Sequence, residues 1–194
     1  MRKNTLSNKD VALQSAFKLF LTKGFLATSM DDIVAHSKVS KTNIYYHYKS
    51  KEELLLTIVQ QLTTHYEGRI QHILAQSETT VLDKLARMLT ILTDNEEQPD
   101  YLGGCPFLTL YTQTPLDATE ARARIKGFFD RQLHTVEAVL ADGVARHELR
   151  ADLPVKATAA LIVSSLEGAL FVAQATNNPA ILADVYPALA SLLK

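Results

Sequence analysis

Apolar positions recur at spacings of three and four along most of this chain, and nowhere do they alternate over the length of a strand, so the pattern predicts helices throughout. Leu13, Ala16, Phe17 and Phe20 mark a first helix from about Asn8 to Lys23. Ser7 stands before it as a cap and Gly24 after it as a stop. Its apolar side should pack on Ile33 and Ile44. The stretch 29–54, SMDDIVAHSKVSKTNIYYHYKSKEEL, reads as a helix, a tight turn, a short helix and the start of a longer one. Ser29 with Asp32 three residues on suits a helix start, Ser37-Lys38-Val39 makes the turn, and Ser40 caps the next helix. Ser50 with Glu53 forms a capping box before Leu54, Leu55 and Leu56.

Beyond this stretch the same period predicts a helix from Ser50 to about Leu74 and another from Thr80 to Thr93. The segment 96–104, EEQPDYLGG, is a loop by composition, and Cys105 to Gln113 a short helix broken by Thr114 and Pro115. Asp117 with Glu120 caps a long helix to about His147, and 147–153 is a connector. Residues 155–176 are apolar nearly all round, with Lys156 and Glu167 their only charges, so most sides must be covered. Ser164, Ser165, Gly168 and Ala169 leave room for a second helix to approach. After Asn177-Asn178-Pro179 a last helix carries Ile181, Leu182, Val185, Tyr186, Leu189 and Leu192. Two such apolar helices at one end of the chain suggest a subunit interface.

The short helix beginning at Lys41 has little to bury beyond Ile44 and Tyr48. It offers Lys41, Thr42, Asn43, Tyr45, Tyr46 and His47 to solvent. A packed helix followed by one that shows donors and aromatics to water is the layout of a helix-turn-helix reader of DNA. The string GFLATSMDDIVAHSKVSKTNIYYHYKSKEEL, residues 24–54, resembles the DNA-binding signature of TetR-family transcriptional regulators, and Ala16, Leu19 and Phe20 extend the match upstream. The likeness covers about the first quarter of the chain. The rest agrees in length and helical character. One position departs: Lys38 stands where this family mostly has glycine, and a left-handed backbone there costs a lysine roughly 1 kcal/mol.

The resemblance implies an all-α fold of about nine helices. Residues 1–50 would form a three-helix DNA-binding head, and 51–194 a helical effector-binding and dimerisation body. It places Lys41, Thr42 and Tyr45 at base edges, where Lys41 can donate to guanine and the Thr42 methyl can meet thymine. It places Asn43, Tyr46, His47, Lys51 and Ser29 at phosphates. It further implies a homodimer through the last two helices, bound to a palindromic operator on double-stranded DNA as a repressor. A small apolar or aromatic effector would release it. Met88, Tyr101, Phe107, Tyr111, Phe128, Phe129 and Phe171 are the candidates for the effector's pocket wall.

Charge distribution agrees with a DNA-reading head. Residues 1–60 hold 9 basic and 5 acidic side chains, +4, against a net −1 for the chain. Arg2 and Lys3 would form a short basic arm. MRKNTLSNKD lacks the apolar core of a signal peptide, and Glu167, Asn177 and Asn178 interrupt the most apolar stretch, so the reading is cytoplasmic with no membrane span. The single cysteine fits a reducing compartment. Cys105, at a helix start after Gly103-Gly104, is a candidate redox residue. That opens a second reading, a redox or electrophile sensor acting through Cys105. A third is a helical enzyme or adaptor without specific DNA reading. The six histidines do not cluster with other ligands, so no metal site is expected, and no nucleotide-binding or hydrolase motif argues for a cofactor or for catalysis.

Overall fold

A computed structural model describes residues 6–76, 78–93 and 104–193, and among these it has nine helices and no strand. They are α1 (Asn8–Thr22), α2 (Met30–Ser37), α3 (Lys41–His47), α4 (Lys51–Leu74), α5 (Val81–Thr93), α6 (Pro106–Gln113), α7 (Thr119–Ala145), α8 (Val155–Ala175) and α9 (Ala180–Leu193). The chain forms two compact units. The first takes Met1–Thr63 and Pro106–Lys126, the second Thr64–Cys105 and Gly127–Lys194. The expected boundary at residue 50 falls inside the first unit, and the division passes through α4 and α7.

In the first unit α1 packs against α2, α3 and α6. Ala16, Phe20, Ile33 and Ile44 are fully buried, as the helical spacing predicts, with Phe25 edge-on to Phe20 at 5.0 Å. Phe107 and Leu110 bring α6 into this core, and the Gln113 Oε1 accepts the Phe25 N–H at 3.1 Å. Capping signals act where the sequence puts them. Ser7 and Asp10 close the start of α1, Ser29 and Asp32 that of α2. Gly24 ends the first turn region at φ 98°, a conformation glycine adopts without a Cβ penalty. The Ser50–Glu53 box is half made: Ser50 Oγ accepts the Glu53 N–H at 3.3 Å, but the Glu53 carboxylate takes the Lys49 N–H at 2.6 Å, one residue further back. α7 starts at Thr119, after Asp117, and Glu120 pairs with Arg124 one turn on.

The second unit is built on Val81, Leu85, Met88, Leu140, Ile162, Val163 and Leu189, with α8 against α9 and α9 against α5. Thr80 and Asp83 cap α5 reciprocally. α7 ends at Ala145, His147 in the turn that follows takes φ 59°, and the Glu148 and Leu149 N–H groups fold back onto the Gly143 carbonyl. A Cβ on Gly143 would stand 2.9 Å from Leu149 and from Val81, so the glycine is required by space. By length and composition alone α8 is apolar enough to cross a bilayer, with a mean hydropathy of 1.6, since Glu167 barely lowers the window. Ala159, Ile162, Val163, Leu166, Ala169, Leu170 and Ala173 turn its one face into the unit.

Candidate nucleic-acid interface

The turn between α2 and α3 fixes what α3 presents. Lys38 closes α2 in the left-handed region, at φ 61° and ψ 11°, as expected for the position. Ser37 Oγ then accepts the Val39 N–H at 3.2 Å, and Ser40 Oγ accepts the Asn43 N–H at 3.3 Å. At the far end Lys49 donates to the Tyr45 and Tyr46 carbonyls at 2.9 and 3.3 Å. A seven-residue helix is marginal alone. Here both ends are closed, by Ser40 and Lys49, while Ile44 is buried beneath. Lys49 was not singled out in the sequence. Basic residues after a helix are its only signal.

The outward side of α3 carries Lys41 and Thr42, both exposed, and Tyr46, 75% exposed. Lys41 Nζ lies 2.8 Å from Asp31 Oδ1 on α2 and 6.0 Å from the Tyr45 ring centroid. The Asp31 carboxylate holds the Lys41 ammonium above its ordinary pKa, first through the hydrogen bond and then through charge. Tyr45 is half-buried. The His47 ring stands edge-on to Tyr46 at 5.0 Å, which fixes both. Asn43 is half-buried, and its Oδ1 is turned inward without a partner. Ser29 is exposed, but its hydroxyl is engaged by Asp32. Asp32 in turn is bound by Lys23 at 2.8 Å, and that hydrogen bond, with those from Ser29, holds its carboxyl well below the usual range.

Lys51 turns its ammonium back onto the α1–α2 connection. It donates to the Phe25, Leu26 and Thr28 carbonyls at 3.0, 3.4 and 3.2 Å and lies 4.5 Å from the Phe25 ring. Three acceptors and an aromatic face replace its hydration, so it ties the α1–α2 connection to the start of α4. Tyr48 is buried behind α3, and burial, then the Asp10 and Glu53 carboxylates, push its phenol up.

The expected pocket residues are divided between the two units. Phe107 and Tyr111 belong to the first unit, where Phe107 is core and Tyr111 faces the Arg122 guanidinium at 4.1 Å. Met88 is core of the second unit. Phe171 is 60% exposed on the outer side of α8. Phe129 is half-buried and edge-on to Phe128. Tyr101, like Arg2 and Lys3, lies outside the described residues. Of the described members of the set, Phe128 lines a cavity of the second unit, about 580 Å³ between α4, α5 and α7. The remaining wall includes Ile70, Leu74, Lys84, Gln132, Ala138 and Val139. Cys105 is 3% exposed, beside the Glu167 carboxyl. That neighbour is an acid, whereas reactive thiolates are drawn out by cations.

Residues 12–58 match the family model for bacterial regulatory proteins of the tetR family, and residues 81–189 match that for the tetracyclin repressor-like C-terminal domain. The chain is 23% identical over 176 residues to an HTH-type transcriptional regulator in the lacX 3' region of Lactococcus lactis subsp. lactis, covering 90% of this chain and 87% of that one. It is 47% identical over 51 residues to the HTH-type transcriptional regulator QacR of Staphylococcus aureus, covering 26% of this chain and 27% of QacR. A TetR transcriptional regulator from Chloroflexus aurantiacus superposes with a TM-score of 0.80 at 27% identity, over 95% of this chain and 92% of its own. A TetR-family regulator from Agrobacterium tumefaciens superposes at 0.84 with 20% identity, over 96% and 97%.

Proposed function

The chain belongs to the tetR family of bacterial regulatory proteins, and from that premise we propose that it is a repressor released from a palindromic operator by a small molecule. That it is a DNA-binding transcriptional regulator and not an enzyme follows from the family. The proposal concerns how it works. What supports it is α3: both ends are capped internally, and Lys41, Thr42 and Tyr46 lie exposed on its outer side, Lys41 held only by the surface carboxylate of Asp31. Lys41 and Thr42 would meet base edges, with Tyr45 beside them, and Tyr46 and His47 would approach phosphate. Asn43 and Ser29 would contribute less, because their polar atoms are turned inward or engaged.

The same proposal makes the protein a cytoplasmic homodimer that joins through α8 and α9. Leu161, Phe171 and Val172 on α8 and Leu192 on α9 are exposed, and Gly168 leaves a gap in the same helix. A two-fold pairing of that face would cover them, and palindromic half-sites follow from the symmetry. The effector would occupy the second unit's cavity. α4 begins directly after the head and supplies Glu67, Ile70, Gln71 and Leu74 to that cavity's wall. An effector shifts DNA affinity only by its difference in affinity for the two states, and a hundredfold shift takes about 2.7 kcal/mol.

The test is selection of bound fragments from genomic DNA, followed by salt titration on the recovered site. The wild type should recover one inverted repeat and lose affinity steeply with salt. Lys41→Ala should cost about 1–3 kcal/mol on that site and little on random duplex. Equal loss on both would remove Lys41 from base reading, and recovery of no preferred sequence would sink the proposal.

A further inference from the structure

The cavity of the second unit holds more chemistry than an apolar slot would need. Ile70, Leu74, Phe128, Ala138 and Val139 form its greasy walls. Charged groups are set among them, and most are already balanced. Glu67 is bound by Arg131 at 2.5 Å, and Asp142 by Arg146 at 3.4 Å. His134 Nδ1 is 2.6 Å from the Asp130 carbonyl.

Lys84 is the exception. It lines the cavity, is 8% exposed, and among the described residues its ammonium has no hydrogen bond or ion pair. No carboxylate among the described residues meets that ammonium, so an anion entering the cavity would be its first charged partner. Nor does its helix favour it, since Lys84 lies in the first turn of α5, where the helix dipole disfavours positive charge. Gln132, on α7, lines the same cavity at 7% exposure, and its side-chain carbonyl oxygen is buried without a partner. A lysine sunk in the wall with no acid beside it among the described residues, and a buried amide oxygen without a donor, thus meet at one largely apolar cavity.

We propose that this cavity is built for an amphipathic organic anion, a carboxylate carried on an apolar body. Lys84 takes the carboxylate, Gln132 turns its amide to a second polar atom of the ligand, and the body lies along Ile70, Leu74, Phe128 and Val139. The inference rests on the effector-release reading above, and it narrows the effector from apolar or aromatic to apolar with an acidic head.

The experiment uses the intact protein and probes that share a body and differ in head: octanoate, octanol and octylamine, with naphthoate and naphthol as the aromatic pair. Binding is read by calorimetry and by the rise in unfolding midpoint. The carboxylates should bind about tenfold or more tightly than the alcohols, and octylamine most weakly, as expected for one charge-assisted contact. Lys84→Met, which keeps the stem and removes the charge, should bring the carboxylates down to the level of the alcohols and leave the alcohols unchanged. Undiminished carboxylate binding in Lys84→Met, octylamine binding as tightly as octanoate, or no binding by either carboxylate would overturn the inference. Should Lys84→Met fail to fold, the order of the heads on the wild type decides alone. Operator affinity measured with the same probes separates the two readings. Carboxylate binding through Lys84 with unchanged operator affinity upholds the anion site and sinks effector release instead.

Discussion

α3 and α8 each leave one side unused by their own unit, and the two sides differ in kind. α3 shows Lys41, Thr42 and Tyr46, whose polar atoms water satisfies at no cost. α8 shows Leu161, Phe171 and Val172 around Gly168, which water does not satisfy. An exposed polar face is silent until its geometry is known, because most protein surface is polar in just this way. An exposed apolar face on a packed helix asks for a cover by itself. The two are also held differently. α3 is pinned at its ends, by Ser40 and Lys49, and beneath by Ile44, so that its outer side chains are not needed to hold it. α8 has Pro154 at its start and no side-chain cap, and is held by the packing of its inner face.

The comparison breaks most readily at α8. A side chain at Gly168 meets nothing within 4 Å in the monomer, so Gly168→Glu should leave the unfolding midpoint of the subunit intact. It should yield monomers in sedimentation equilibrium and lose about a hundredfold or more in operator affinity, the gain from joining two half-site contacts in one molecule. A dimer of normal strength from this variant would mean that the uncovered face is covered by something else. Ala169, by contrast, is buried inside the unit, and a charge there would report on the core.

At the head the largest effect should come from a residue that does not face out. Lys51→Ala leaves three carbonyls without their donor, and should cost about 1–3 kcal/mol of stability by denaturant titration. Its loss of DNA binding should vanish when folded protein alone is counted. A persistent loss on every duplex at full folding would restore Lys51 to the phosphate contacts.

α8 offers a subtler test in Glu167. Burial pushes its carboxyl above the ordinary 4.5, with the Cys105 thiol offsetting part of the rise. The folded state therefore holds this proton more tightly than the unfolded chain, and stability is lost as pH rises from 4.5 through the raised value. Glu167→Gln should raise the melting midpoint above that window and gain nothing below it. A gain independent of pH would point to packing instead of charge. The smallest effect belongs to the turn before α3. Lys38 sits at φ 61°, so Lys38→Gly should add about 0.5–1 kcal/mol to stability while leaving operator affinity unchanged.

What could be read from the sequence was whatever acts within three or four residues. Ser7, Ser29 and Ser40 cap where their spacing says, Lys38 is left-handed, and Ile33 and Ile44 are buried on period. Contacts made across the chain were not legible. Lys51 meets carbonyls more than twenty residues upstream, and α6 joins the first unit through Phe107 and Gln113. In the sequence the aromatics stand out as pocket candidates, because large rings suggest ligand contact. Rings also fill cores, as Phe107 does, and so does the unbranched Met88. The apolar part of the cavity that formed is Ile70, Leu74, Ala138 and Val139 beside Phe128, mostly residue types found in every core. α8 is apolar nearly all round, so its sequence gave no hint that Phe171 would face out.

Gly143 has a consequence of another sort. Leu149 and Val81 each leave no room for even a methyl group on it. A lineage carrying this closure of α7 cannot drift at that site by single steps. Alanine there becomes acceptable only after Leu149 or Val81 has shrunk, and once those have shrunk a return to glycine leaves a void. The three positions are therefore coupled, and among descendants of this chain a larger residue at 143 should be found together with a smaller one at 149 or 81.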